Sequence, residues 1–283
     1  MKFLDPCVDV AFKKIFGSEE HKGVTIAFLN SILEYTGKAE ITDVQFLNTE
    51  QKRILRDKKD NILDILCTDQ NNKKYLVEIQ VEGVKGFGKR IVFYGAKTYA
   101  LQLGKAKPYR SLEPVVAVSI LDFILFPNKK DYKSIHLLLD KKTYEHDLQE
   151  LSFAFVELPK FKKQAHEIIT NEDKWIYFLK EISQQDHIPD ALNEKEFIEA
   201  CNAANKMTWT DEELNDYDDA LVRATDLEGS IEIASEKGRI EGKIEGKIEE
   251  KNMTALMMLK KGFDLSIIAD ITGLSIDQIK DIK

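Results

Sequence analysis

Cysteine and histidine are scarce in this sequence of 283 residues, and the few that occur lack the spacing of common metal sites. The three cysteines form no CxxC pair, so neither a thiolate zinc site nor a disulfide framework is indicated. They are expected to be buried as small apolar residues. The five histidines form no HxxxH or HExxH pair. A zinc site built from histidine or cysteine is therefore not expected.

Long apolar runs are also missing. The run Val115–Leu121 is followed at once by Asp122, and it is far shorter than the roughly 20 residues that a membrane span needs. Charged residues are scattered through residues 1–30 before any long apolar stretch, which is unlike a secretory signal. We expect a cytoplasmic protein without a membrane segment.

Charge is unevenly distributed along the chain. The net charge is −8, which argues against general affinity for nucleic acids. Residues 1–110, however, hold 19 Lys and Arg against 14 Asp and Glu, a net charge of +5, so the remainder carries −13. Exposed lysines also serve solubility. A polyanion would be tolerated best by the first 110 residues.

The hydrophobic pattern predicts an α/β fold. Apolar residues at helical spacing in residues 8–33, interrupted near Gly17, predict two helices joined by a short turn. Short β-rich segments follow at 41–47, 62–68 and 75–81, and the last two indicate a hairpin. Residues 90–103 return to helical spacing, and Val115–Leu121 is typical of a strand covered on both faces. Further strands are expected at 135–139 and 153–158.

The C-terminal part is predicted to be helical. We divide the chain into residues 1–165, a helical extension at 166–230, a Gly/Glu/Lys repeat at 231–252 and a small helix-turn-helix-like tail at 253–283. The acidic run at 211–219 is expected to be a solvated face or a loop. The repeat GRIE-GKIE-GKIE at 238–249 indicates a weakly stable charged helix or a linker, ordered by self-association.

The predicted hairpin places charge where a buried strand should be apolar. Asp64 interrupts one strand, and Glu78 and Gln80 interrupt the other. Period-two geometry puts Glu78 and Gln80 on one face, and the hairpin partner brings Asp64 onto that face. Crowded carboxylates of this kind suit Mg²⁺ or Mn²⁺. The alternative is that both acids face solvent, as on many antiparallel edge hairpins.

This constellation resembles a known family. Asp64, thirteen intervening residues and then Glu78-Ile79-Gln80 are similar to the D…(D/E)xK signature of the restriction-endonuclease-like superfamily. Further stretches resemble its branch of Rpn recombination-promoting nucleases, often labelled transposases; they are DVAFKKIFG from Asp9, the segment from Arg90 to 103, and residues 109–116. The resemblance covers roughly residues 3–160 and a similar tail. Leu63 stands at the place of the motif proline.

The resemblance implies a restriction-endonuclease-like core with a mixed central sheet flanked by helices, followed by an α-helical C-terminal region. It implies a Mg²⁺-dependent DNA endonuclease, with Mn²⁺ as a second candidate ion, linked to recombination or mobile elements. Asp64 and Glu78 would be metal ligands, the Ile79 carbonyl a third, and Gln80 would orient water or phosphate in place of the motif lysine. Asp9 is either an accessory acid or a helix N-cap.

A rival motif lies immediately downstream of the second strand. Residues 83–89 match GxxxxGK, but Arg90 stands where a phosphate-binding loop needs Ser or Thr. A loop beside the acids fits better, with Lys85, Lys89, Arg90 and Lys97 available for DNA contacts. The partners expected are DNA and a second copy bound through the C-terminal helices. The alternative function is a DNA-binding or assembly protein with a vestigial nuclease fold.

Overall fold

The computed structural model describes residues 1–47, 64–103 and 108–282, leaving aside the side chains of 227, 228 and 230–232. The chain divides into two compact units, Met1–Val222 and Arg223–Lys283. The first unit carries the sheet, and the second is helical.

Two helices open the first unit, as the sequence predicts. Helix α1 is Asp9–Phe16 and helix α2 is Lys22–Leu33. Their apolar faces are buried because apolar residues recur at helical spacing. Gly17 ends α1, and its amide donates to the Lys13 carbonyl oxygen over 2.8 Å. The turn that follows lets α2 pack beside α1.

The described strands form one mixed sheet of six in the order β1-β2-β3-β4-β6-β5. Neighbouring strands pair antiparallel except β3 with β4 and β4 with β6, which are parallel. This is the mixed central sheet that the resemblance implies. The strand bounds are β1 Val44–Phe46, β2 Ile65–Asp69, β3 Lys74–Gln80, β4 Val115–Leu121, β5 Lys133–Leu138 and β6 Leu148–Glu157.

The predicted hairpin is strands β2 and β3. Their register pairs Ile65 with Val77, and the Asp69 carboxylate accepts hydrogen bonds from the amides of Asn71 and Lys73 in the turn. Residues 62 and 63, where the sequence pattern begins this strand, lie outside the described residues. Strand β1 is shorter than the predicted 41–47.

Strand β4 is buried along its whole length, so the prediction of a strand covered on both faces is confirmed. One face of the sheet packs against α1, α2 and the later helices, and it forms the main core. The other face packs against helix α3, Phe87–Ala100, through a smaller core that includes Leu76, Leu121 and Phe155. Helix α3 begins earlier than the predicted 90–103 because Gly86, at φ 86°, turns the chain directly into Phe87.

Strands β5 and β6 and the helices after them complete the first unit. Strand β6 begins at Leu148, well before the predicted 153–158. Its first half is exposed or half-buried and mixes polar with apolar residues, so the sequence signal is strongest in its buried second half. Helix α4 is Asn171–Glu181 and helix α5 is Lys195–Ala204. All three cysteines are buried and free, as expected.

The four-residue repeat lies within one long helix, α6, Asp211–Lys260. Its first turns contain the acidic run, whose carboxylates are mostly exposed, so the run is a solvated helix face rather than a loop. Ion pairs within the helix, such as Arg239 with Glu236 and Lys237 with Glu241, offset part of the cost of the glycines. The repeat is therefore helical rather than an irregular linker.

The tail contains the three helical segments that its sequence predicts. After the end of α6 come α7, Leu265–Thr272, and α8, Ile276–Asp281. Gly262 and Gly273 provide the left-handed turns between the segments, at φ 80° and 66°. Ala255, Ile268 and Ile279 form their buried centre.

In the part of the chain that the structure describes, no helix is both long enough and apolar enough to cross a membrane.

Gly17 permits the close approach of α1 to strand β2, and this generates a stability prediction. A Cβ atom at Gly17 would lie 2.7 Å from the Lys13 carbonyl oxygen and 3.2 Å from Ile65 Cγ1, so Gly17→Ala should destabilise the fold by about 1–3 kcal/mol. Gly23→Ala is the matched control. It meets no atom within 4 Å on helix α2 and should stabilise by up to about 1 kcal/mol. Urea unfolding of both variants measures the difference, and shifts of the same sign would contradict the packing described.

Candidate active site

The two acids of the hairpin lie side by side and are buried. The pairing of Ile65 with Val77 sets Asp64 opposite Glu78. Asp64 is 6% exposed and Glu78 is 5% exposed, so the alternative in which both acids face solvent is wrong. Val77 and Ile79 point into the main core, and Glu78 therefore lies on the opposite face of β3, toward α3.

Asp64 joins the sheet through its side chain. Its Oδ2 accepts a hydrogen bond from the backbone amide of Ile79 over 2.7 Å, and its Oδ1 lies 3.4 Å from Lys13 Nζ. Lys13 also pairs with Asp9, one turn earlier on α1. Burial raises the pKa of Asp64 well above its usual value; Asp9 raises it further, as does Glu78, while Lys13 lowers it. The Asp64 carboxylate thus depends on nearby positive charge.

Glu78 is held from the other side of the site. Its Oε1 accepts a hydrogen bond from Arg90 Nη2 over 2.8 Å. Burial raises the pKa of Glu78 to about 7, against the lowering effect of Arg90 and Lys13. Its second oxygen, Oε2, is buried and has no hydrogen-bond partner among the described residues. This oxygen is available to a cation.

Gln80 lies beside the acids as well, and it shares their partner. The same Nη2 of Arg90 donates to Gln80 Oε1 over 2.5 Å. Arg90 stands over the Phe87 ring at 4.9 Å, and its side chain is 19% exposed. The structure therefore brings Arg90, predicted as a DNA contact, into the acid pair itself.

The lysines predicted for DNA contact lie on α3 and in the loop that precedes it. Lys85 is exposed in the loop before α3, and Lys89 is exposed on the helix. Lys97 is half-buried, with its Nζ 5.7 Å from the centre of the Phe93 ring. Helix α3 contains no acidic residue. The three lysines therefore add positive charge to α3 and its preceding loop.

Two neighbours of the acid pair were not found from the sequence. Lys13 comes from α1, far from the hairpin in the chain, and its only signal is the i,i+4 spacing from Asp9. Asp9 itself makes no side-chain N-cap bond, since Val8 is the cap residue. Ser119 pairs with Glu78 across β3 and β4, and its hydroxyl is buried without a hydrogen-bond partner among the described residues. A lone serine in the run Val115–Leu121 was its signal.

The site offers a cation a small set of oxygen ligands. Among the residues that the structure describes, no three His, Cys, Asp or Glu side chains form a metal-binding group. Mg²⁺, however, is commonly held by one or two carboxylates, with water and phosphate oxygens completing its shell. The paired carboxylates Asp64 and Glu78, with Glu78 Oε2 unmatched in the described structure, fit that mode of binding.

Comparison with known proteins identifies the family. The family model described as "PD-(D/E)XK nuclease family transposase" matches residues 6–234. Comparisons with curated proteins and with solved structures give no match. Nucleases with this motif generally use divalent metal ions, and they act on DNA. The match covers most of the sheet-bearing unit and the acid pair within it, and on that evidence the chain belongs to the PD-(D/E)XK nuclease family transposases.

Proposed function

We propose that this protein is a metal-dependent DNA endonuclease that hydrolyses phosphodiester bonds, in the service of recombination or mobile elements. The observation that carries the proposal is the buried pair Asp64 and Glu78, in which Glu78 Oε2 has no partner among the described residues. A buried carboxylate oxygen without a partner is costly unless a cation binds there.

Each residue of the hairpin has a proposed role. Asp64 and Glu78 would hold Mg²⁺, or Mn²⁺ in its place, and the carbonyl of Ile79 would be a third ligand. Such an ion, when bound, supplies positive charge for the phosphate and acidifies water for attack. Gln80 would help to orient the phosphate or the water. Asp9 would act as an accessory acid through Lys13, with which it pairs.

Conservative changes at the acid pair should abolish cleavage without unfolding the chain. Asp64→Asn keeps an acceptor for the Ile79 amide, and Glu78→Gln keeps one for Arg90. Each should slow Mg²⁺-dependent plasmid nicking by roughly 10²-fold or more, since a metal centre supplies several kcal/mol of transition-state stabilisation. Chelation should stop cleavage by the parent, and added Mg²⁺ should restore it.

Asp69→Asn is the matched control for this prediction. Asp69 is a buried acid at the end of β2 that is farther from Asp64, and Asn keeps its acceptor oxygen. It should cut like the parent. Parent-like cleavage by either Asp64→Asn or Glu78→Gln, with folding verified by circular dichroism, would refute the assigned site.

A second function is favoured by the ion pairs at the site. Lys13 lies beside Asp64 and Arg90 beside Glu78, so the acids already have cations of the protein itself. If Asp64 and Glu78 serve only to stabilise the fold through these ion pairs, the chain would bind or assemble on DNA without cutting it. Plasmid binding without nicking, over a full titration of Mg²⁺ and Mn²⁺, would support this function and exclude the first.

DNA binding is proposed to involve Lys85, Lys89 and Lys97, on the side of the site formed by α3 and its preceding loop. Lysines that contact phosphates release counterions, so affinity falls with salt at a slope of about −0.9 per contact on duplex DNA. In an Asp64→Asn background, replacing all three by Gln should weaken binding and reduce the salt slope by about 1 for each lysine that contacts a phosphate.

The control for this experiment removes the same charge elsewhere. Lys130, Lys141 and Lys142 are exposed around the β5–β6 hairpin, and their replacement by Gln should leave the salt slope as in the Asp64→Asn parent. Equal slopes for the two triple variants would contradict the proposed DNA-binding side.

Self-association is proposed through the repeat of helix α6. Successive residues of each repeat lie 100° apart, so the exposed stripe Ile240, Ile244 and Ile248 has Arg and Lys along one flank and Glu along the other. In a parallel pair the basic flank of each helix meets the acidic flank of its partner. In an antiparallel pair like charges would meet. The pattern therefore favours a parallel dimer, which would supply two active sites for a double-strand cut.

The isoleucine stripe should determine whether the protein is a dimer or a monomer in solution. Changing Ile240, Ile244 and Ile248 to Ser should convert the dimer to monomer, as measured by light scattering. The control triple changes Gly238, Gly242 and Gly246 to Ala on another face of the helix, where a Cβ atom meets nothing within 4 Å. That variant should stay dimeric. An unchanged mass for the serine variant would remove the repeat from the interface.

A further inference from the structure

Arg90 is hydrogen-bonded to two residues at the acid pair, unlike a surface residue that is free to contact DNA. A single nitrogen, Nη2, donates to both Glu78 Oε1 and Gln80 Oε1, at 2.8 and 2.5 Å. Its Nε is buried and has no hydrogen-bond partner among the described residues. A charged donor in that condition lacks an acceptor, and an anionic oxygen is the acceptor that guanidinium groups bind best.

Arg90 brings a positive charge to the place where this chain lacks the lysine of the motif. Gln80 stands where the D…(D/E)xK signature has a lysine, so strand β3 itself brings no cation to the acids. Arg90, near the start of α3, brings one to the same place from the next element of the chain. Arginine side chains in general carry a positive charge in proteins.

Gln80 and Arg90 also suit each other chemically. The amide oxygen of Gln80 accepts from Arg90, whereas a lysine at position 80 would bring a second positive charge against the guanidinium. An amide at position 80 and an arginine at position 90 thus form one compatible arrangement. A lysine at position 80 with an uncharged residue at 90 would form another.

We propose that Arg90 is a catalytic residue that contacts the scissile phosphate and supplies the charge that the motif lysine supplies elsewhere, and that Gln80 is a positioning residue that holds Arg90 beside Glu78. The inference rests on the proposed nuclease function and deepens it. Arg90 would then contact the phosphate group that is cleaved, rather than the DNA duplex beside the site.

The geometry separates this role from a merely structural one. Arg90 occupies Glu78 Oε1, so it competes with any cation for that carboxylate. Loss of Arg90 should therefore leave metal binding intact or strengthen it, while it removes a donor from the phosphate. A residue that only supported the fold would, when changed, weaken both.

The test compares Arg90→Gln with the parent in two measurements. Binding of Mn²⁺ alone, followed by electron paramagnetic resonance, should be at least as tight as in the parent. Single-turnover cleavage with Mn²⁺ should fall by roughly 10²–10³-fold, the usual cost of losing one donor to a developing charge. Arg110→Gln, which removes an exposed arginine elsewhere, should match the parent in both. Weaker Mn²⁺ binding with an intact fold, or parent-like cleavage, would overturn the proposal.

Two further variants test the partnership with Gln80. Gln80→Met should lower kcat with little change in KM, and it should have a clearly smaller effect when Arg90 is already Gln, because a positioning residue acts through its partner. The double variant that combines Gln80→Lys with Arg90→Gln moves the positive charge from α3 to β3. Its cleavage rate should be at least tenfold higher than that of Arg90→Gln alone. Additive effects of Gln80→Met and Arg90→Gln would refute the positioning role, and failure of the double variant to gain rate would refute the charge role.

Failure of the nuclease function itself looks different. In that case the parent neither binds Mn²⁺ at the acid pair nor cuts, and Asp64→Asn changes neither measurement. A parent that binds and cuts, with an Arg90→Gln variant that does so equally well, refutes only the role of Arg90.

Discussion

The structure depends on keeping two buried carboxylates, Asp64 and Glu78, beside each other inside the protein. Burial and repulsion from neighbouring acids both disfavour their charged forms, so the fold must supply compensation from elsewhere in the chain. That compensation comes from two helices, with Lys13 on α1 and Arg90 on α3. The close contact of α1 with β2 at Gly17, and the start of α3 immediately after Gly86, are both conditions for it.

The topology explains why the site forms at the carboxyl end of strand β3. Strand β3 runs parallel to β4, and helix α3 connects the two, so the end of β3 that carries Glu78 and Gln80 is followed directly by the first turns of α3. Ligand sites in sheets with parallel strands commonly lie beyond the carboxyl ends of those strands. The antiparallel pairing of β2 with β3 adds Asp64 from the other side.

Local sequence patterns predicted the hairpin, strand β4 and the opening helices because each is encoded in consecutive residues. They also predicted which residues of the hairpin share a face, since that follows from the two-residue period of a strand. Burial of the acids and the partners Lys13 and Arg90 could not be predicted in this way. Lys13 lies on a helix far from the hairpin in the chain, and Arg90, although it lies on the next helix, reaches Glu78 only because α3 packs on the sheet. Neither contact can be inferred from the spacing of residues. The exposed first half of β6 was missed for a related reason, since pairing with β5 rather than burial makes it a strand.

The hydrogen bond from the Ile79 amide to Asp64 has a consequence for observing this protein. Among the described residues, strand pairing between β2 and β3 ends at Ile65, and the Asp64 carboxylate then accepts a hydrogen bond from the Ile79 amide of β3 in place of a main-chain oxygen. One backbone amide is thus attached directly to one acid of the site. Its nitrogen and proton resonances should respond whenever that acid gains a proton or a cation, so a single magnetic resonance signal could report the charge state of a group hidden from solvent.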